Sequence, residues 1–244
     1  MSESSTARTI VVTGGGSGIG RAVARELASS GARVIVVGRS LQSLEETALD
    51  LPSIEAFVGD VRDDAWLAEL DRRTDGVDVL VNNAASFAAY GPISEVPVGE
   101  FDDCHATIVR GSFLAARHVM PGMKERGFGR IVNVGSVVAG QGSAVQAAYT
   151  SAKAALVGLT RSLALEGAPH GVTCNLVEPG LIATARTEGV LSPEIFESLV
   201  AATPVGRAGT PEEVARAIAF LASDAASYVT GVTLPVSGGL GLGL

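Results

Sequence analysis

A tyrosine and a lysine stand four residues apart in a run of small side chains, QAAYTSAKAAL. Tyr149 and Lys153 would therefore share one face of a helix. A phenol titrates at about pH 10, and a nearby ammonium lowers its pKa because it stabilises the phenolate. The spacing predicts a phenol tuned for proton transfer to or from an alcohol or carbonyl oxygen. The alternative is an exposed helical tyrosine and lysine that are merely neighbours.

A glycine-rich stretch, TGGGSGIG, lies between a β-branched run and a helical pattern. Gly14, Gly18 and Gly20 would let the backbone turn tightly and approach a ligand. The start of the following helix offers unpaired N–H groups and a positive dipole end to a phosphate. A turn without a ligand is the alternative, but the strand before it and the helix after it favour a dinucleotide site.

The end of the second strand-like run, VVGRS, bears on the identity of the dinucleotide. An acidic residue at this position would hold the adenosine ribose of NAD, whereas a basic residue favours the 2′-phosphate of NADP. This chain has Gly38, then Arg39, whose guanidinium can fork onto a phosphate, then Ser40, which could cap the next helix. We predict NADP(H) as the preferred cofactor, with NAD(H) as the alternative. A solvated Arg39 would leave that choice open.

Short β-branched runs alternate with helical patterns along the whole chain. The runs are apolar without alternation, as in strands that are covered on both faces, and strand–helix alternation implies a parallel sheet. We predict one α/β domain over residues 1–244, with its core at 9–239. It would be a three-layer, doubly wound (Rossmann-like) parallel sheet of about seven strands. The predicted strands are Thr9–Thr13, Arg33–Gly38, Ile54–Gly59, Val77–Asn82, Arg130–Gly135, Val172–Val177 and Gly231–Val236.

Composition and charge exclude several classes of protein. The net charge of −8 argues against a nucleic-acid partner or an anionic membrane surface, since both need clustered cations. No apolar run is long enough to span a bilayer, and the N-terminus shows no signal-peptide pattern. Cys104 and Cys174 lie far apart and the histidines do not cluster, so we expect no metal site. This cysteine usage suits a reducing, cytoplasmic setting.

Several motifs in order resemble the short-chain dehydrogenase/reductase family, from Thr9 to Gly239. TGGGSGIG matches its cofactor turn, GDV at Gly59–Val61 its adenine contact, and NNAA, which ends in Ala85, its Asn-Asn-Ala-Gly. YTSAK matches its Tyr-x-x-x-Lys, and Ser136 lies thirteen positions before Tyr149, which is the family's spacing for the catalytic serine. EPGLIAT resembles the segment that meets the nicotinamide carboxamide, and TPEEVARAIAFLASDAASYVTG matches the family's last helix.

The resemblance implies an NADP(H)-dependent enzyme that interconverts a ketone or aldehyde and an alcohol by hydride transfer. It implies that Tyr149 exchanges the proton, that Lys153 lowers the phenol pKa and binds the ribose, and that Ser136 donates to the substrate oxygen. It also implies a homotetramer (or a homodimer), with helices around 102–123 and 148–166 between subunits. The predicted cofactor-binding residues are Gly14, Ser17, Gly18, Ile19, Gly20, Arg39, Ser40, Asp60, Val61, Asn83, Ala84, Tyr149, Lys153, Pro179, Gly180, Ile182 and Thr184.

One departure concerns proton delivery. The family usually carries an asparagine that helps hold a water between the lysine and solvent, and this chain has Ile108 there. Isoleucine cannot hydrogen-bond a water. Two alternatives therefore stay open: an NAD-dependent enzyme of the same family acting on a secondary alcohol or diol, and a non-catalytic dinucleotide-binding regulator or scaffold.

Three segments are expected to border a small-molecule substrate. Val137–Gln146 and Ser86–Tyr90 are small and weakly polar, without an arginine cluster, so we expect an uncharged ketone or secondary alcohol. The stretch 178–197 is the exception among otherwise short loops and is expected to form a mobile lid.

Overall fold

The computed structural model describes residues 7–87 and 90–242. Both termini of the predicted domain, residues 1–6 and 243–244, lie outside the described residues. The same holds for Ala88 and Ala89 of the expected pocket segment. Seven strands form one sheet in the order β3-β2-β1-β4-β5-β6-β7, and every neighbouring pair is parallel. The strands are β1 Thr9–Thr13, β2 Arg33–Gly38, β3 Ile54–Val58, β4 Val79–Asn82, β5 Gly129–Val134, β6 Val172–Pro179 and β7 Thr233–Val236.

Helices cover both faces of this sheet, which confirms the predicted three-layer architecture. They are α1 Gly18–Ser29, α2 Leu41–Ala48, α3 Ala65–Arg73, α4 Val98–His105, α5 Gly111–Arg126, α6 Val138–Gln141, α7 Ala147–Gly167, α8 Ala185–Val190, α9 Pro193–Ala201 and α10 Pro211–Ala222. A π-helical turn, Ala106–Arg110, joins α4 to α5, and 3-10 turns follow α7 and α10.

Consecutive residues of a strand point to opposite faces, and here both faces are buried. Ile10 and Val12 belong to one apolar cluster, with Val23 of α1 and Val214 of α10, whereas Val11 belongs to the cluster on the other face. This double burial explains why the strands carry apolar runs without alternation. No helix among residues 7–87 and 90–242 has the length and apolar character needed to cross a membrane.

The segment 178–197 differs from the expected loop. β6 continues to Pro179, and α8 and α9 occupy most of the remaining residues of the segment. Thr184 caps α8 by accepting from the Thr187 N–H, and Ser192 caps α9 by accepting from the Ile195 N–H. The capping residues Thr184 and Ser192 are sequence signals for the starts of α8 and α9. Each helix is too short to show a clear apolar period.

The strand order places the candidate site residues together. β2 and β3 lie on one side of β1, and β4 to β7 lie on the other, so the strand order switches between β1 and β4. The crevice between the ends of these two strands is the expected ligand site of such a fold. The glycine-rich turn follows β1, Arg39 follows β2, Asp60 follows β3, Asn83 follows β4 and Ser136 follows β5. Because all the strands are parallel, these segments meet at one edge of the sheet.

Candidate active site

The turn between β1 and α1 has the geometry of a close approach to a ligand. Gly14 and Gly18 have φ values of +65° and +50°, a region that other residues rarely adopt. A Cβ on Gly14 would lie 2.9 Å from the Ala84 Cα, and a Cβ on Gly20 would collide with the Gly14 carbonyl oxygen. The glycines thus form a cradle that larger residues would fill, which is the property a phosphate-binding turn needs.

The end of β4 holds this turn in place. The Asn83 side-chain amide donates to the carbonyl oxygens of Thr13 and Gly14, each at 3.1 Å. The Thr13 hydroxyl accepts from the backbone N–H groups of Asn83 and Ala84, at 3.1 and 3.2 Å. Asn83 is a predicted cofactor residue, and in the structure its amide supports the carbonyls of the cofactor turn.

A cleft of about 360 Å³ opens between this turn and the ends of β2 and β3. Arg39 borders it, is exposed, and has no ion-pair partner among the described residues. Ser40 caps α2 as predicted, since its hydroxyl accepts from the Ser43 N–H at 3.4 Å. The lining residues include Gly14, Ser17, Arg39, Ser40, Asp60, Val61 and Ala84. A glycine cradle beside an unpaired guanidinium fits the adenosine and phosphate half of a dinucleotide.

An ion network at the rim of this cleft has no counterpart in the sequence predictions. Arg62 pairs with Asp60 and with Asp103, both at 2.6 Å, and the Ser86 hydroxyl donates to Asp103 at 3.0 Å. The hydrogen bonds from Arg62 lower the pKa of Asp60, so this carboxylate is held ionised and in a fixed place. Arg39 contributes to the same electrostatic field without a direct contact. The network joins β3, β4 and α4, and no local pattern connects those segments.

The three predicted catalytic residues come together. α7 places Tyr149 and Lys153 one turn apart, and the Lys153 ammonium lies 5.6 Å from the centre of the Tyr149 ring. The ammonium donates to the Val134 carbonyl at 2.6 Å, so the end of β5 fixes its position. Ser136, just beyond β5, lies close enough to Tyr149 to lower the pKa of the phenol. A phenol, a hydroxyl and an amine thus converge where a substrate oxygen could accept a hydrogen bond.

The expected lowering of the Tyr149 pKa is not the net result. Burial raises the pKa of Tyr149, and the nearby Ser136 hydroxyl and the charge of Arg186 only partly oppose the rise. Burial also lowers the pKa of Lys153 to about 7, because this side chain is only 2% exposed and its charged form is held away from water. Burial therefore outweighs the stabilisation of the phenolate that Lys153 was predicted to supply.

Two further side chains complete the site. Phe87 stacks on Tyr149 with 4.7 Å between ring centres and 15° between planes. The Arg186 guanidinium lies 3.7 Å from the centre of the Phe87 ring. Phe87 belongs to an expected pocket segment, whereas Arg186 is not among the predicted site residues. Its signal, a lone arginine in the stretch 178–197, becomes meaningful only once α8 is placed beside the site.

The segment after β6 contributes the remaining predicted cofactor residues. Pro179 ends the strand, and the Gly180 N–H donates to the Val236 carbonyl at 3.1 Å. Ile182 is 4% exposed, and its side chain belongs to the core. Thr184 lies opposite the glycine turn, since a Cβ on Gly18 would be 3.5 Å from its methyl group.

Ile108 and Ile19 have packing roles. Ile108 lies in the π-helical turn, is 1% exposed, and packs with Cys104, Leu156 and Leu176. Its carbonyl accepts from the Ser112 hydroxyl at 2.7 Å. Ile19, predicted near the cofactor, packs against the cluster on the α1 face. Across 7–87 and 90–242, no three His, Cys, Asp or Glu side chains are grouped as metal ligands would be.

Comparisons with known proteins agree with this geometry. A family model described as enoyl-(acyl carrier protein) reductase matches residues 14–241. The 3-oxoacyl-[acyl-carrier-protein] reductase FabG of Haemophilus influenzae is 38% identical over 242 residues, which cover 94% of this chain and 96% of that protein.

Two of the similar solved structures bear on the cofactor. A variant actinorhodin polyketide ketoreductase with NADPH has a TM-score of 0.90 at 36% identity and covers 97% of this chain and 98% of its own. A 3-oxoacyl-[acyl-carrier protein] reductase with bound NAD from Brucella melitensis has a TM-score of 0.91 at 32% identity and covers 98% and 93%.

These similarities confirm the predicted fold and the predicted class of enzyme. One neighbour holds NADPH and another holds NAD, in line with the prediction that NADP(H) is preferred and NAD(H) is possible. The match extends over the glycine turn, the Tyr-x-x-x-Lys pair and the last helix. The chain therefore belongs to the short-chain dehydrogenase/reductase family and is an oxidoreductase that interconverts a carbonyl group and an alcohol.

Proposed function

We propose that this chain is an NADP(H)-dependent ketoreductase in which Tyr149 is the general acid and base. The observation that carries the proposal is the convergence of Tyr149, Ser136 and Lys153 beside the glycine cradle. A non-catalytic regulator would need the cradle to bind a dinucleotide. It would not need a phenol with a serine and a lysine beside it in front of that cradle.

Each residue has a distinct role in the proposed reaction. Ser136 orients the substrate oxygen and stabilises charge that develops on it. Tyr149 gives its proton to that oxygen during reduction and takes it back during oxidation. Its raised pKa keeps the phenol protonated, which suits the reducing direction. The nicotinamide, when bound, supplies or accepts the hydride. Lys153, held by the Val134 carbonyl, is placed to bind the ribose hydroxyls.

Arg39 supports the choice of NADP(H). It borders the cleft, lacks a carboxylate partner among the described residues, and follows Gly38 in place of an acidic residue. A 2′-phosphate would give the guanidinium a charge-assisted partner. Among the other proposed cofactor residues, those that line this cleft are Gly14, Ser17, Ser40, Asp60, Val61 and Ala84. The remaining ones, Gly18, Gly20, Pro179, Gly180, Ile182 and Thr184, would bind the rest of the dinucleotide.

We also propose one domain over residues 1–244, a homotetramer and a cytoplasmic location. The exposed surfaces of α5 and α7 support the assembly: Phe113 is 50% exposed, Leu165 is 80% exposed, and the exposed side of α7 includes the small residues Ala155 and Gly158. Large apolar side chains at this exposure suit an interface. Two cysteines in 244 residues suit a reducing compartment.

The test is turnover of carbonyl compounds with NADPH, measured by nicotinamide absorbance. Tyr149→Phe should lose nearly all turnover and keep its affinity for NADPH, because only the hydroxyl is removed. The matched control is Tyr228→Phe, since Tyr228 is fully exposed and away from the site. Substantial turnover by Tyr149→Phe would remove the proposed acid. A parent protein that binds NADPH and reduces no carbonyl compound would favour the regulator.

A second candidate substrate comes from the relatives. The similar protein of Haemophilus influenzae is named as a 3-oxoacyl-[acyl-carrier-protein] reductase. This favours 3-oxoacyl thioesters as substrates to include in the same assay. A turnover rate far above that of free ketones would make thioester reduction the main activity.

A further inference from the structure

Three side chains from separate segments, Tyr149, Phe87 and Arg186, form a stacked column. The Phe87 ring lies almost parallel to the Tyr149 ring, at 4.7 Å and 15°. The Arg186 guanidinium lies over Phe87 at 3.7 Å from the ring centre. One face of a ring cannot hold both partners at these distances, so Phe87 lies between the cation and the phenol. A fixed positive charge therefore stands one aromatic ring away from the reacting hydroxyl.

Arg186 has no counter-ion in the described part of the chain. It forms no ion pair and donates no hydrogen bond there, although a guanidinium has five donors. The ionisable groups that act on it are Tyr149, Tyr90 and Cys104, and none of them is a carboxylate. Partial burial lowers the pKa of Arg186, yet the residue stays exposed, so its charge is open to solvent and to a ligand.

Two acids that lie near Arg186 in the sequence do not pair with it. Glu178, at the end of β6, is buried against Gly135, and burial raises its pKa. Glu188, two residues after Arg186 in α8, is exposed. Neither is within ion-pair distance of the guanidinium. The pocket segment from Val137 to Gln146 contains no charged residue. Apart from the buried Lys153, Arg186 is thus the cation that an anionic ligand would meet beside Phe87.

We propose that Arg186 binds the carboxylate of the substrate, and that the substrates are oxo acids and the corresponding hydroxy acids. The carboxylate would lie a few carbon atoms from the reacting carbonyl, with the connecting chain against Phe87. This assignment rests on the proposed ketoreductase function and replaces the uncharged substrate expected from the sequence. A planar guanidinium fixed by stacking is well suited to hold a carboxylate through two hydrogen bonds.

The position of α8 separates this charge from the cofactor phosphates. Thr184 is the residue of this segment that lies against Gly18 of the glycine turn. Arg186, two residues later, turns instead to Phe87 on the Tyr149 side. The same short segment thus faces the cofactor turn with one residue and the substrate side with another. A substrate carboxylate, and not a dinucleotide phosphate, is the anion that this placement favours.

The experiment compares oxo acids with their own methyl esters. The acids carry the carboxylate one to four carbons from the carbonyl. Each ester differs from its acid by one methyl group and by the loss of the negative charge. The parent should have a higher kcat/KM for the acid than for its ester at one or more chain lengths. Arg186→Gln should lower that acid-to-ester ratio by about tenfold to a hundredfold. Arg186→Lys should keep part of it. Arg216→Gln, an exposed arginine of α10, is the control and should keep the ratio.

The outcomes separate this inference from the proposed function. Esters reduced faster than acids at every chain length, or an unchanged ratio in Arg186→Gln, would overturn the carboxylate assignment and leave the ketoreductase standing. A higher dissociation constant for NADPH in Arg186→Gln, measured calorimetrically without substrate, would mean that Arg186 binds the cofactor. That result would also overturn the carboxylate assignment. Failure of the parent to reduce any acid, ester or ketone would overturn the proposed function first. Circular dichroism would show that each variant is folded.

Discussion

Replacing Lys153 by methionine should stabilise the cofactor-free protein at neutral pH, although it removes a proposed catalytic group. Lys153 is 2% exposed, and burial lowers its pKa from 10.5 to about 7 because the charged amine is held away from water. At about 1.4 kcal/mol for each pH unit, this difference corresponds to about 5 kcal/mol. Below about pH 7 the folded protein must hold Lys153 as an ammonium, and its free energy of unfolding is lowered by about this amount.

The effect has a characteristic dependence on pH. Because the folded pKa lies below the unfolded value, the unfolded chain binds more protons between about pH 7 and about pH 10. The parent's free energy of unfolding should therefore rise relative to that of the variant, by about 2–3 kcal/mol between about pH 6 and about pH 9. Methionine also leaves the Val134 carbonyl without its donor, which costs about 1–3 kcal/mol. Lys153→Met should thus be about 2–4 kcal/mol more stable than the parent at about pH 6 and roughly equal at about pH 9.

Urea unfolding without cofactor, at one protein concentration, measures these free energies. Trp66, the single tryptophan, is 4% exposed and provides a fluorescence signal. Lys124→Met is the control, because the Lys124 ammonium pairs with Glu166 at 2.5 Å near the surface. The free energy of unfolding of Lys124→Met should differ from that of the parent by a small amount that does not change with pH. A Lys153→Met protein that is less stable than the parent at about pH 6, by a margin that does not change with pH, would refute the argument from burial.

Two further predictions concern the cofactor and the proton path. Arg39→Ala should weaken NADPH binding by about tenfold to a hundredfold and leave NADH binding nearly unchanged, as measured by titration calorimetry. Equal losses for both cofactors would mean that Arg39 does not bind the 2′-phosphate. The parent should show a solvent deuterium isotope effect on kcat, because Ile108 lies in an apolar cluster and cannot hold a relay water. Folded Ile108→Asn should raise kcat and shrink that effect, although it should lose about 1–3 kcal/mol of stability or more. No isotope effect in the parent, with no gain in the variant, would make the position kinetically silent.

Sequence reasoning succeeded where the signal is local. The strands were identified because each is a β-branched run that is buried on both faces, and their predicted ends differ from the observed ends by two residues at most, as at Val79, Pro179 and Thr233. α10 lies in the stretch that resembles the family's last helix, and its start carries a local signal, a capping box of Thr210 and Glu213 with Pro211 in the first turn. The spacing of Tyr149 and Lys153 likewise needs only one helix to become a contact.

The longer-range parts of the site could not be predicted in that way. The network of Arg62, Asp60 and Asp103 and the column of Arg186, Phe87 and Tyr149 join residues that are distant in sequence. Only the parallel crossovers bring them to one edge of the sheet. A charged or aromatic residue in a loop carries no local mark of the partner that the fold will give it.

The sequence by itself determined the family, the parallel sheet, the glycine turn and the identity of the proton-transfer group, because each depends on residue types at short and fixed spacing. The tertiary structure decided how those groups are tuned. The sequence indicated a lysine that lowers the pKa of a phenol, whereas packing buries Lys153 and half-buries Tyr149, which raises the pKa of Tyr149 and lowers that of Lys153 to about 7. Burial is a property of the whole packed domain, and the free energy of a charge depends on its distance from water more than on its place in the chain.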